Sequence, residues 1–189
     1  MSKKVKIYFG APLFSHAEQK YNKELTLVVR HILGDKVEVY LPQENESIND
    51  KSGYANSTMI YDGDNHWLDE SDVLIALLDG VALDAGLATE IGRFAHIAEN
   101  SNTPKYILGL YSDSRQGTFG NQQKIDALKE IAESQFSYLN LYPVGAIKKN
   151  GMVYNNTKDL VNDLQNIVDE ILEDDINELI DEIKDGEDK

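Results

Sequence analysis

Residues 73–78 read Val-Leu-Ile-Ala-Leu-Leu. The run is too short for a typical buried helix and is apolar at every position. That is the signature of a central strand in a parallel sheet, where helices cover both faces. Ser71-Asp72 before it and Asp79-Gly80 after it punctuate the ends. Parallel neighbours need crossover connections, so the flanks must supply alternating helices and strands. Upstream, Val5–Phe9 is a β-rich run ending at Gly10. Ser15 is an N-cap, and Glu18 three residues on completes a capping box for a helix to about Leu33. Leu25, Val28, Val29 and Ile32 form its apolar stripe, and Gly34 follows as a stop. Val37–Leu41 alternates as a second strand, Pro42–Gly53 is a polar mobile loop, and Tyr54–Asp69 reads as a helix.

Downstream, the pattern predicts a loop over Asp79–Leu83, a helix from Asp84 to about Ala98 and a strand over Tyr106–Tyr111. A helix over Gln122–Ser134 and a short strand over Phe136–Leu139 follow. This alternation predicts an α/β fold, a doubly wound parallel five-stranded sheet with helices on both faces. Beyond Leu141 the order changes. Val144–Ile147 and Met152–Tyr154 flank Asn150-Gly151, which reads as a hairpin turn. Thr157 then caps a long helix whose stripe runs through Leu160, Leu164, Ile167, Ile171, Ile176, Leu179 and Ile183. The expected organisation is an α/β domain over 1–155 and an acidic amphipathic C-terminal helical extension over 156–189.

Composition narrows the function classes. The 189 residues suit one domain. There is no cysteine, which excludes disulfides, thiolate metal sites and a cysteine nucleophile. No apolar run approaches the ~20 residues of a membrane span, and the short basic start Met1-Ser-Lys-Lys4 is not a signal peptide. A cytoplasmic protein with no membrane partner is expected. Of the net charge of −15, residues 159–189 hold thirteen acids and two lysines, so the body is only mildly acidic. No basic stripe suits a phosphate backbone, so no nucleic-acid partner is expected. The phosphate-cradling G-x-x-x-x-G-K-[ST] and G-x-G-x-x-G patterns are absent. His16, His31, His66 and His96 lack metal-ligand spacing, so neither metal nor cofactor is expected.

Ligands of open parallel sheets bind at the carboxyl ends of the strands. Those ends deliver Tyr8-Phe9-Gly10-Ala11-Pro12, then Asp79-Gly80 leading to Asp84 and Glu90, then Ser112-Asp113-Ser114-Arg115. At about 100° per residue, Leu87, Ile91, Phe94, Ile97 and Ala98 all fall within about 100° of Glu90, which therefore sits inside the apolar stripe of its helix. A carboxylate so placed faces protein and needs partners or a function. Taken singly, Asp84 is an N-cap, Asp64 a surface acid and Tyr8 a core aromatic.

Three segments match a known family in order. These are Ile7-Tyr8-Phe9-Gly10-Ala11-Pro12-Leu13-Phe14-Ser15; Ile60-Tyr61-x-x-Asp64-x-x-x-Leu68-x-x-Ser71-Asp72-Val73; and Ala76-x-Leu78-Asp79-Gly80 with Asp84-x-Gly86-x-Ala88-x-Glu90-Ile91-Gly92. Over roughly residues 4–155 the chain resembles the nucleoside 2-deoxyribosyltransferases, whose sheet is flavodoxin-like. The resemblance implies Glu90 as catalytic nucleophile, Tyr8 as the tyrosine orienting it, and Asp64 and Asp84 as acids contacting the base. Asp84 is then a candidate proton donor to that base. It implies Gln43 as a base contact, Phe9, Gly10 and Gly86 in the substrate site, and Asn121 as an asparagine lent across a subunit boundary to the sugar 5′-hydroxyl. A 2′-deoxynucleoside and a free nucleobase would be the partners. The assembly would be a homo-oligomer built on dimers, with a hexamer among the options. Base exchange is the first expectation. Hydrolysis of deoxynucleosides or their 5′-monophosphates is the alternative, and a non-catalytic binding protein is the third.

Overall fold

Val73–Leu77 is the middle strand, β3, of a five-stranded sheet, and all five of its residues are buried. The computed structural model describes residues 3–49, 53–114, 121–127 and 139–187. In chain order these hold β1 (Val5–Gly10), α1 (His16–Leu33), β2 (Val37–Tyr40), α2 (Glu46–Asn49), α3 (Ser57–Glu70), β3, α4 (Ala85–Asn100) and β4 (Tyr106–Leu110). They continue with α5 (Gln122–Ala127), α6 (Leu141–Lys149), β5 (Gly151–Tyr154) and α7 (Thr157–Glu187). The strand order is β2-β1-β3-β4-β5, and every pairing is parallel. The doubly wound α/β fold expected from the sequence is the fold observed.

Alternation along each strand sends side chains to two separate cores. On one face Ile7, Phe9, Ile75 and Leu108 join Leu25 and Val29 of α1 and Leu160, Leu164 and Val168 of α7. On the other face Tyr8, Leu74, Ala76 and Ile107 join Leu68 of α3, Leu87, Ile91 and Phe94 of α4 and Ile147 of α6. The capping box that starts α1 is present in both directions: Ser15 Oγ accepts from Glu18 N at 3.2 Å, and Glu18 accepts from Ser15 N at 2.6 Å. Gly34 ends the helix at a φ of 54°, where a side chain would be strained. The buried face of α1 is rotated from the expected stripe. Asn22, Leu25, Thr26, Val29 and Leu33 point inward, while Val28 and Ile32 are each 43% exposed.

The C-terminal third departs most from expectation. No hairpin forms at Asn150-Gly151. Residues 141–149 are helical, with Asn140 capping α6 and Ile147 fully buried, and Gly151–Tyr154 pairs parallel with β4. Gly151 serves close approach rather than a turn: a Cβ there would lie 2.1 Å from the Ile107 carbonyl oxygen. All but the last residue of the strand proposed over 136–139, and the end of the helix proposed over 122–134, fall outside the described residues. The loop after β2 is partly ordered by α2, where Asn49 Nδ2 donates to the Pro42 carbonyl at 2.6 Å. The first half of α7 is a layer of the sheet rather than an appendage. Leu160, Val161, Leu164, Val168 and Ile171 are buried, whereas Ile176 and Ile180 further along are exposed. A boundary at residue 155 thus cuts through one continuous core. The side chains of Leu179 and Ile183 lie outside the described residues.

Candidate active site

The order in which strands are added to the sheet reverses between β1 and β3, and a crevice opens beyond their carboxyl ends. Tyr8, near the end of β1, is completely buried and donates its hydroxyl proton to Glu90 Oε1 at 2.8 Å. Glu90 comes from the second turn of α4, whose buried residues are Leu87, Ile91, Phe94 and Ala95. Gly10 makes room for it, because a Cβ there would lie 3.0 Å from Glu90 Oε2 and 2.7 Å from Leu87 Cδ1. Asp84 caps α4, its Oδ1 accepting from Leu87 N at 2.8 Å. Asp64 projects from α3 and accepts from the Tyr40 hydroxyl at 3.1 Å.

Three carboxylates, Asp64, Asp84 and Glu90, line one pocket of about 290 Å³. Its walls include Ala11, Leu13, Phe14, Pro42, Ile48 and Gly86. No lysine, arginine or histidine lines it among the described residues. Burial is therefore uncompensated by cations and raises proton affinity. Glu90 is pushed up to about 7, first by burial and further by the charges of Asp64 and Asp84, against the opposing pull of the Tyr8 hydrogen bond. Asp64 is also raised by burial, and the bond from Tyr40 opposes this. The Tyr8 phenol is raised by burial and by the facing Glu90 charge, so it remains a proton donor. A half-buried carboxylate pushed up to about 7, held by a phenol in a small concave site, is equipped for nucleophilic or acid–base chemistry.

The residues expected in the site divide. Tyr8, Gly10, Asp64, Asp84, Gly86 and Glu90 converge. Phe9 points the other way and packs in the core beneath α1 and α7. Gln43 is occupied elsewhere: its Nε2 donates to the Gln19 carbonyl at 2.8 Å, and its Oε1 accepts from Asn22 at 3.2 Å. Asn121 is exposed at the start of α5, where its Oδ1 accepts from Lys124 N. His66 lies on the exposed side of α3, 3.7 Å from Glu70. Asp79 fastens the end of β3 to the β4 loop, accepting from Ser112 N and Oγ. Arg115 falls outside the described residues. Sequence reasoning missed Tyr40. The signal was available, because Tyr40 closes an alternating strand as Tyr8 nearly closes the first, and the two are register partners.

A family profile described as nucleoside 2-deoxyribosyltransferase matches residues 7–164. A crystal structure of a conserved protein from Enterococcus faecalis V583 is 48% identical, with a TM-score of 0.77 over 87% of this chain and 99% of that one. A 2-deoxyribosyltransferase from Bacillus psychrosaccharolyticus shares the fold at 17% identity and a TM-score of 0.54, covering 84% of this chain and 91% of that one. One from Leishmania mexicana does so at 18% and 0.56, covering 87% and 97%. An uncharacterised protein of Ureaplasma parvum serovar 3 is 26% identical across 87% of this chain and 96% of its own length. With most of its length inside the profile, and the polar residues of its crevice lying within the matched span, this chain belongs to the nucleoside 2-deoxyribosyltransferase family.

Proposed function

We propose that the protein exchanges the base of 2′-deoxynucleosides through a deoxyribosyl ester on Glu90. The observation that carries this reading is the Tyr8–Glu90 hydrogen bond of 2.8 Å inside the three-carboxylate pocket. An ionised Glu90 oxygen attacks C1′, the C1′–N bond breaks, and its electron pair leaves with the base. The base nitrogen takes up a proton, for which Asp84 is the candidate donor. A second base then attacks C1′ from the face the first one left, its ring N–H proton is lost, and the Glu90 carboxylate is regenerated. Partial positive charge at C1′ is stabilised by the facing carboxylates, and the missing 2′-hydroxyl makes that charge easier to form. The lack of any cation among the described lining residues favours an uncharged nucleoside over a 5′-monophosphate, since a phosphate would meet three carboxylates unpaired. The apolar side chains left exposed on α1 and α7, Val28, Ile32, Ile176 and Ile180, favour a homo-oligomer. A monomeric mass by light scattering would overturn that assembly.

The test incubates the protein with a 2′-deoxynucleoside, with and without a different free base. Appearance of the second nucleoside supports exchange. Free deoxyribose released irrespective of the acceptor base supports hydrolysis instead. Unchanged turnover in Glu90→Ala would remove Glu90 as nucleophile. A sugar adduct on the peptide containing Glu90, found by mass spectrometry after acid quench, would establish the covalent step.

A further inference from the structure

Tyr8 and Tyr40 pair in register on adjacent parallel strands, so their phenols stand side by side on one face of the sheet. Their ring centroids are 5.3 Å apart, with the planes tilted by 38°. Each hydroxyl donates to a carboxylate from a different helix, Tyr8 to Glu90 at 2.8 Å and Tyr40 to Asp64 at 3.1 Å. Trp67 closes the far side of Tyr40, stacked at 4.8 Å and 11°. The Tyr40 hydroxyl has a second partner, Asn45 Nδ2, at 3.0 Å. The orientation of that amide is fixed, because its Oδ1 accepts from Ser47 N and Oγ. Asn45 therefore presents NH₂, which only donates, and Tyr40 must accept from it. The single phenolic proton is left for Asp64.

We infer that Tyr40, aimed by Asn45, is a positioning residue that holds Asp64 ionised as a hydrogen-bond acceptor for the incoming base. Only the identity of that ligand rests on the proposed function. The groups facing Asp64 are Tyr40 from β2, Tyr8 from β1, and Glu90 and Asp84 from α4. Arg30 and Glu44, paired with each other at 2.7 Å, lie on the outer side of Tyr40, and His66 and Glu70 lie on the exposed side of α3. No described lining residue supplies a positive charge, so the phenol is what offsets the burial of Asp64.

The test follows the Asp64 carboxyl directly by ¹³C NMR of aspartate-labelled protein, with its signal assigned through Asp64→Asn. In Tyr40→Phe the ring stack stays and only the donor goes, so the Asp64 midpoint rises by about one pH unit. Asn45→Ala moves it in the same direction by less, and carries the test if Tyr40→Phe does not fold. Calorimetric titration with adenine across the same pH range gives the second readout. Midway between the two midpoints adenine binds Tyr40→Phe about threefold more weakly than wild type, the ratio approaches about tenfold below both, and the difference disappears at higher pH. An unmoved Asp64 midpoint overturns the inference, as does an affinity loss equal at every pH, which is what mere loosening of the strand would give. A midpoint that moves in a protein that binds neither adenine nor thymine sustains Tyr40 as the lock on Asp64 and removes the nucleoside reading.

Discussion

Phe9 and Tyr8 are neighbours on β1 and belong to two different kinds of protein interior. Phe9 lies in a face of Val, Leu and Ile closed by α1 and the docked half of α7. Tyr8 lies in a face whose outer edge carries Glu90 and Asp64, both hydrogen-bonded to phenols. The first interior gains stability from burying carbon, roughly 1.5–3 kcal/mol for each fully covered Leu, Ile or Val. The second buries charge that costs stability at neutral pH. One sheet thus separates what holds the fold from what is poised to react. Substitutions on the two faces should divide the same way, one set changing stability alone and the other changing activity and its pH dependence.

The largest expected effect is at Glu90. Removing a nucleophile leaves little catalysis, so Glu90→Gln should lower base exchange by at least about 10³-fold. It should also make the protein more stable above neutral pH. Glu90 has its ordinary value of 4.5 in the unfolded chain and about 7 when folded. Between those values the folded state holds a proton that the unfolded state has released, so stability falls as pH rises through that window. The loss is complete above about pH 7 and amounts to on the order of 3 kcal/mol. Urea unfolding at pH 8 should show Glu90→Gln gaining a good part of that, with the gain vanishing near pH 4. Equal pH dependence in the two proteins would mean that Glu90 is not buried as described.

On the apolar face the sign reverses. Leu164 is fully buried against the sheet, and Leu164→Ala should cost about 2–5 kcal/mol. Turnover at 20 °C should stay near wild type while thermal melting falls by several degrees. A large loss of turnover in a folded Leu164→Ala protein would show that the two faces are coupled.

Tyr8→Phe is expected to have a smaller effect on the catalytic face. It keeps the ring and removes the donor that holds Glu90 down, so the Glu90 midpoint rises further. The acid limb of the pH–rate profile should move to higher pH, with turnover at pH 6 reduced about tenfold and recovery toward wild type at pH 8. A uniform loss at every pH would instead assign Tyr8 to contact with the sugar.

The two regions were unequally legible from sequence. The central strand, the capping box at Ser15 and the inward aim of Glu90 follow from local periodicity and were readable. Residues 141–154 were not. Val144–Ile147 and Asn150-Gly151 satisfy the local rules for a hairpin, yet Gly151 is there because the Ile107 backbone passes too close for a side chain. That is a contact between residues distant in sequence, which periodicity does not register. Tyr40 was overlooked for a related reason, since its role depends on register with Tyr8 across two strands. Gln43 has the right side chain in the right loop, but both of its polar ends are taken by α1.

The smallest effect is expected where the apolar face runs out of sheet. Up to Leu172 the stripe of α7 packs on the apolar core, and the described side chains further along are exposed or held by a polar tie. Lys36 to Asp169 and Lys3 to Asp175, each at 2.6 Å, involve lysines more than half exposed, and such pairs contribute about 0–1 kcal/mol. Truncation after Asp175 retains both ties and every residue of the helix that is buried among the described side chains. It should leave the urea midpoint within about 0.5 kcal/mol of full length and leave turnover unchanged. It also deletes Ile176 and Ile180, the exposed apolar pair. If truncation lowers stability at micromolar protein but not at a tenfold lower concentration, the tail is covered by a second copy, because only an intermolecular contact depends on concentration. Concentration-independent loss would mean that the tail folds back on its own body.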